Sequence, residues 1–122
     1  MSGDPYSDRV RELFARPAHA GCIGGGRSVR LDDQGIRLCL CAREDGGMIE
    51  ALSFWAWGCP HLIAAAEAFC ADYAGRPASG LLEFEASGLM ESLSVPVEKT
   101  GRILVLEDAV RSLGQAIRDG SA

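Results

Sequence analysis

The sequence contains no CxxC pair, which removes the strongest signals for a zinc ribbon or a thioredoxin-type redox centre. Its five cysteines, Cys22, Cys39, Cys41, Cys59 and Cys70, are an odd number, and free thiols, core residues or metal ligands are expected ahead of a disulfide framework. No GK[ST] follows the glycines of Gly21-Cys22-Ile23-Gly24-Gly25-Gly26, and no strand precedes them, so a phosphate loop is excluded. No run approaches the ~20 apolar residues of a membrane span. Residues 1–11 alternate charges without the apolar stretch of a secretory signal, and the cytoplasm is the expected compartment. Basic residues are scarce: 12 Lys and Arg stand against 17 Asp and Glu, for a net charge of -5. A nucleic-acid partner is not expected, because phosphate binding needs clustered cations. The same balance gives no reason to expect a membrane surface as partner.

What is present suits a single folded domain over residues 1–122, with 48% hydrophobic residues to build a core. Asp4-Pro5 opens a first helix with Val10, Leu13 and Phe14 at helical spacing, and Pro17 limits it. Three strands follow. The first, Arg27 to Leu31, is weakly patterned and leads to a turn at Asp32–Gly35. The second, Ile36 to Arg43, alternates Ile36, Leu38, Leu40 and Ala42 on one face with Arg37, Cys39, Cys41 and Arg43 on the other. Asp45-Gly46-Gly47 reads as a hairpin turn into a third strand, Met48 to Trp57, with Leu52, Phe54 and Ala56 opposite Ser53, Trp55 and Trp57. From Pro60 the period becomes helical through Leu62, Ile63, Ala66, Phe69, Cys70 and Tyr73, and Gly75 with Pro77 stops it. One or two short helices span Ser79 to Ser92, and a last helix runs from Thr100 to Asp119. The fold class is α+β: a three-stranded antiparallel meander with helices on one face.

Trp57-Gly58-Cys59-Pro60-His61 places a thiol where a strand ends and a helix begins. A helix N-terminus favours the thiolate, the form that acts as nucleophile or metal ligand. His61 is a second candidate ligand or a solvent-facing residue, and Cys59 as a plain helix cap is the simpler alternative.

The order of several segments resembles the IscU/NifU N-terminal scaffold family. Tyr6-Ser7-Asp8-Arg9-Val10 and Arg16-Pro17-Ala18-His19-Ala20-Gly21 are similar to its opening helix and turn. Gly47-Met48-Ile49-Glu50, Gly58-Cys59 and Ile63-Ala64-Ala65-Ala66 are similar to its strand, central cysteine and small-residue helix. Val95-Pro96-Val97, Ile103-Leu104 and Glu107-Asp108-Ala109 complete the resemblance. It implies an IscU/SufE-like fold and a non-enzymatic scaffold on which an iron–sulfur cluster is assembled with a cysteine desulfurase and other cluster-assembly proteins. The implied site uses three cysteines and an aspartate, since soft thiolates suit such clusters.

Carried across by position, only Cys59 matches. The first cysteine falls near Asp33, the aspartate near Gly35, the third cysteine at Gly101 or Arg102, and a neighbouring histidine near Thr100. The expected ligands to a cluster, or to a single zinc or iron ion, are therefore Cys59 with Asp33 and His61. Cys22 is a displaced alternative for the first ligand, and Asp32 and Asp33 as turn-capping residues are the simpler reading. Glu98 replaces a lysine of the family's chaperone-recognition segment.

On the outer sheet face, Cys39, Cys41, Trp55 and Trp57 make an apolar patch. The expectation there is a cover, either a second copy of the chain as a homodimer or a partner protein, with a terminal segment as the alternative. Cys39 and Cys41, about 6–7 Å apart along one strand face, are read as packing residues. Three functions compete: a cluster-assembly scaffold holding iron or a metal/sulfur species through Cys59; a degenerate relative with no cofactor, acting as an interaction module through Trp55 and Trp57; and a sulfur-transfer protein taking a persulfide on Cys59.

Overall fold

The alternation in the two central strands sets the architecture. A computed structural model describes Asp8, Val10, Leu13 and residues 20–22, 26–33 and 35–120. Asp8, Val10 and Leu13 are helical and Val10 is fully buried; the rest of the expected first helix and residues 23–25 of the connector lie outside the described residues. Strands β1 (Arg27–Asp33), β2 (Ile36–Asp45) and β3 (Met48–Trp57) form one antiparallel sheet in the order β1-β2-β3. Asp32 and Asp33, expected in the turn, belong to β1, where they pair with Arg37 and Ile36.

The β2–β3 hairpin turns at Gly46 and Gly47, both with positive φ, which matches the right-handed strand twist. The Gly47 amide donates to the Glu44 carboxylate at 2.6 Å and steadies the turn. Ile36, Leu38, Leu40 and Ala42 of β2 and Leu52 and Phe54 of β3 are buried on the inner face.

Helix α1 (Pro60–Tyr73) starts at once after β3, with Pro60 at its first position, where a missing N–H costs nothing. It is buried on more than the expected stripe: Ala64 and Ala65 are as inaccessible as Leu62, Ala66 and Phe69. A 3-10 helix (Ala78–Glu83), the short α2 (Ser87–Ser92) and a second 3-10 turn (Val97–Lys99) lead to α3 (Thr100–Gly120). Helix α3 lays Ile103, Leu106, Val110, Leu113 and Ile117 on the inner sheet face and completes one core. Glu107 accepts from the Ala86 amide at 2.9 Å, and Arg111 donates to the Phe84 carbonyl at 2.9 Å, tying α3 to the preceding loop.

The free edge of β3 is covered twice by the chain itself, which removes a row of unpaired backbone groups. After α1, Gly75 donates to the Ile49 carbonyl and the Ile49 amide donates to Arg76. Before β1, Ala20 pairs in parallel with Phe54, and the Gly21 amide donates to the Phe54 carbonyl at 2.6 Å. That second contact decides what lies on the outer face. No helix among the described residues is long and apolar enough to cross a membrane.

Candidate metal centre

Two places bring chemistry-bearing residues together. The first is the sheet end where α1 begins. Gly58 adopts a positive φ of 106°, and a Cβ there would lie 2.7 Å from the Gly35 carbonyl. The β1–β2 turn and the β3–α1 junction therefore touch. The second 3-10 turn and the start of α3 close on the same end, where the charges of Lys99 and Arg102 act on His61. The end implied by the resemblance is thus assembled, but its donors are not.

Cys59 is buried and N-caps α1 through its carbonyl, which accepts from the Ile63 amide at 3.1 Å. His61 is 1% exposed instead of solvent-facing. Asp33 is exposed and lines a cavity of about 310 Å³ with Asp32, Gly35, Arg37 and Trp57, a lining that includes neither Cys59 nor His61. Among the described residues Cys59, Asp33 and His61 do not gather within ligand distance of one another. Glycines stand at 35 and 101, and two cations close by oppose a metal ion. The Cys59, Asp33 and His61 side chains do not form a compact donor set for a single ion.

Burial lowers the His61 pKa first; the positive charges of Lys99 and Arg102 lower it further, and Glu98 opposes them in part. An imidazole held neutral in the fold binds its proton more readily once unfolded. Its contribution is therefore complete above the unfolded value of 6.5 and is lost as pH falls below it. Stability should decline on acidification below pH 6.5, by at most about 1.4 kcal/mol per pH unit from this group. Urea unfolding of the protein beside His61→Gln measures it: the variant should lose that part of the slope, and equal slopes would contradict the assignment.

The second place is the outer face of β2, which the pattern of the strands foretold only in part. Alternation puts Cys39 and Cys41 on that face, and their Sγ atoms lie 3.9 Å apart. Ala20 and Gly21, fixed on the β3 edge, deliver Cys22 over the sheet, while Gly26 packs against the Ala42 carbonyl on the far side of β2. Cys22 and Cys41 are joined by a disulfide with Cα atoms 5.5 Å apart. The expectations of free thiols and of simple packing residues are corrected here: Ala20 and Gly21 on the β3 edge bring Cys22 into bonding distance of Cys41.

Cys39 remains a free thiol, with its Sγ 3.5 Å from Cys22 Sγ. Among the described residues, Cys22, Cys39 and Cys41 are the one group of three or more Cys, His, Asp or Glu side chains whose ligand atoms all lie within 4.8 Å.

Burial grades across the group, with Cys22 exposed, Cys39 half-buried and Cys41 buried. Cross-strand rows frame it: Ser28, Cys41 and Ser53 in one, Arg30, Cys39 and Trp55 in the next, and Asp32, Arg37 and Trp57 in the third. Ser53 is 6% exposed, and its hydroxyl has no hydrogen-bond partner among the described residues. Such an orphan is uncommon in a folded protein and calls for an explanation. Trp55 and Trp57 stay 47% and 58% exposed, whereas Cys41 and Ser53 in the neighbouring row are buried. The fifth cysteine, Cys70, is fully buried on α1; burial and then Glu67 push its thiol pKa up, so it is a packing residue.

No family model and no curated protein matches the chain in sequence. Solved structures do match in shape. A NifU-like protein (N-terminal) from Brucella abortus superposes with a TM-score of 0.72 at 13% identity, over 93% of this chain and 94% of that one. A protein described as an iron–sulfur cluster assembly scaffold for the SUF system, from Fervidobacterium islandicum AW-1, gives a TM-score of 0.56 at 16% identity, over 86% and 81%. The fold implied by the sequence resemblance is therefore the fold of this chain.

Proposed function

We propose that this protein is a non-catalytic carrier of iron, or of a related metal or sulfur species, in iron–sulfur cluster assembly. The cargo is held by Cys22, Cys39 and Cys41 on the outer sheet face, in place of ligands at the helix end. One observation carries the reading: three cysteine sulfurs converge within 4.8 Å on the fold shared with a NifU-like and a SUF-system protein. Soft thiolates select iron, zinc or cuprous ions over magnesium or calcium. Cys59, Asp33 and His61 are not needed as ligands in this reading. A cysteine desulfurase as sulfur donor and other assembly proteins as recipients follow from it as partners. Metal and acid-labile sulfide content of protein prepared without oxygen tests it. Near-stoichiometric iron or zinc supports the carrier; absence of both metal and sulfide removes it.

A second reading rests on the exposed Trp55 and Trp57, which make the same face a docking surface for a second copy or a partner. Trp55→Glu should change stability by no more than about 0.5 kcal/mol, since the side chain is half exposed. Gel filtration then decides for the second copy: a smaller species for the variant supports it, and equal elution volumes end it.

A further inference from the structure

We propose that Cys22, Cys39 and Cys41 form a reduction-gated site for a single thiophilic cation, closed while Cys22 and Cys41 are bonded and open as a three-thiolate set once a dithiol has reduced them. This rests on the metal-carrier reading and adds what the site takes and what controls it.

The positions of the sulfurs distinguish a ligand set from an exchange centre. A thiolate that attacks a disulfide approaches along the S–S axis, so its distances to the two sulfurs differ by about one bond length, roughly 2 Å. Cys39 Sγ lies 3.5 Å from Cys22 Sγ and 3.9 Å from Cys41 Sγ. It sits beside the bond, at the third corner of a triangle, and is not placed to displace either partner. Two thiolates on one tetrahedral ion with ~2.3 Å metal–sulfur bonds are about 3.8 Å apart. Both Cys39 distances match that edge. Thiolates on different irons of a cluster stand much farther apart than this group spans, so its size fits one ion.

Gating follows from the gradient of burial. Cys22 is exposed and Cys41 buried, so an external dithiol reaches Cys22 first. One thiolate of the dithiol attacks Cys22 Sγ, breaking the bond to Cys41, which leaves as a thiolate. The second thiol of the reductant, as its thiolate, then attacks the mixed disulfide and expels the Cys22 thiolate, closing the reductant's own disulfide. Two electrons have passed to the protein, and the dithiol's two protons go to the new thiolates or to solvent. An entering divalent cation displaces the remaining thiol protons, and water fills its fourth position.

Ser53 supplies an independent observation. Its buried hydroxyl stands opposite Cys41 across the β2–β3 pair and has no partner among the described residues while Cys41 is bonded to Cys22. A disulfide sulfur is a poor acceptor, whereas a thiolate, free or on a metal, is a good one. The open state gives Ser53 Oγ a thiolate to which it donates, and outer hydrogen bonds of this kind raise metal affinity.

Zinc alone is the probe. The full chain is prepared without oxygen, fully reduced in one sample and with the Cys22–Cys41 disulfide intact in the other, and titrated against a chelator. Reduced protein should bind one zinc per chain, and oxidised protein none. Cys39→Ser should weaken binding about 100-fold, Ser53→Ala about 10-fold, and Cys59→Ser should leave it unchanged.

Alkylation with iodoacetamide reads the same site without a variant. Zinc should shield Cys22, Cys39 and Cys41 in the reduced protein, against the buried Cys59 and Cys70 as unreactive background. Equal zinc binding in both redox states overturns the gate and leaves the carrier reading standing, whereas binding lost in Cys59→Ser but kept in Cys39→Ser overturns the outer-face site and the carrier reading with it. No zinc bound in either state overturns both.

Discussion

Replacing Gly58 by alanine should lower the unfolding free energy by about 3 kcal/mol. Two penalties combine. The residue holds φ at 106°, a region that side-chain-bearing residues rarely enter. The added Cβ would also lie 2.7 Å from the Gly35 carbonyl and 3.1 Å from the Ile36 Cγ2. The carbonyl belongs to the β1–β2 turn, so relief requires that turn to move off the β3–α1 junction. Denaturant unfolding measures the loss; a change under about 0.5 kcal/mol would mean that the two segments do not meet. The same contact brings Cys59 to the β1–β2 turn, and the variant should leave the outer-face cysteines in place, because β2 and β3 hold them.

Phe69→Ala should cost about 4 kcal/mol, the usual range for an aromatic truncation in a core. Phe69 is fully buried on α1, with ring centroids 5.1 Å from Tyr73 and 5.2 Å from Phe84, the latter edge to face. Tyr73 and Phe84 also meet edge to face at 5.6 Å, so the three rings lock α1 to the segment after the 3-10 helix. Removing the Phe69 ring leaves a cavity that neither neighbour fills without losing its own contact. The loss should appear as a lower denaturation midpoint with an unchanged slope. A cost below about 1 kcal/mol would show that the cluster collapses freely around the gap.

Local pattern made most of this fold legible. The alternation from Ile36 to Ala42 and from Leu52 to Ala56 named the inner face, and Gly46-Gly47 named the hairpin. The change of period at Pro60 located α1. The side chains of Asp32 and Asp33 favour a turn, but pairing with Arg37 and Ile36 extends β1 through them. The site was less legible for a physical reason. The positions implied by the resemblance do converge, since Gly35, Gly58 and the start of α3 share one end, yet a position does not carry a donor when glycine or arginine occupies it.

The cysteines that do converge needed a contact that no periodicity reports. Ala20 pairs with Phe54, and that bridge with the Gly21 hydrogen bond brings Cys22 to Cys41 on β2. Alternation already put Cys39 and Cys41 on one face, and two cysteines beside two tryptophans there was the signal that the sequence offered. Ser53 had no signal of its own, because its importance lies in what it fails to bond.

The most direct test of the carrier account compares the metal content of Cys39→Ser and Cys59→Ser with that of the native chain, all prepared reduced and without oxygen. Iron or zinc should be lost from Cys39→Ser and retained at the native level in Cys59→Ser. Metal retained in Cys39→Ser and lost in Cys59→Ser would contradict it and return the site to the end of the sheet where α1 begins.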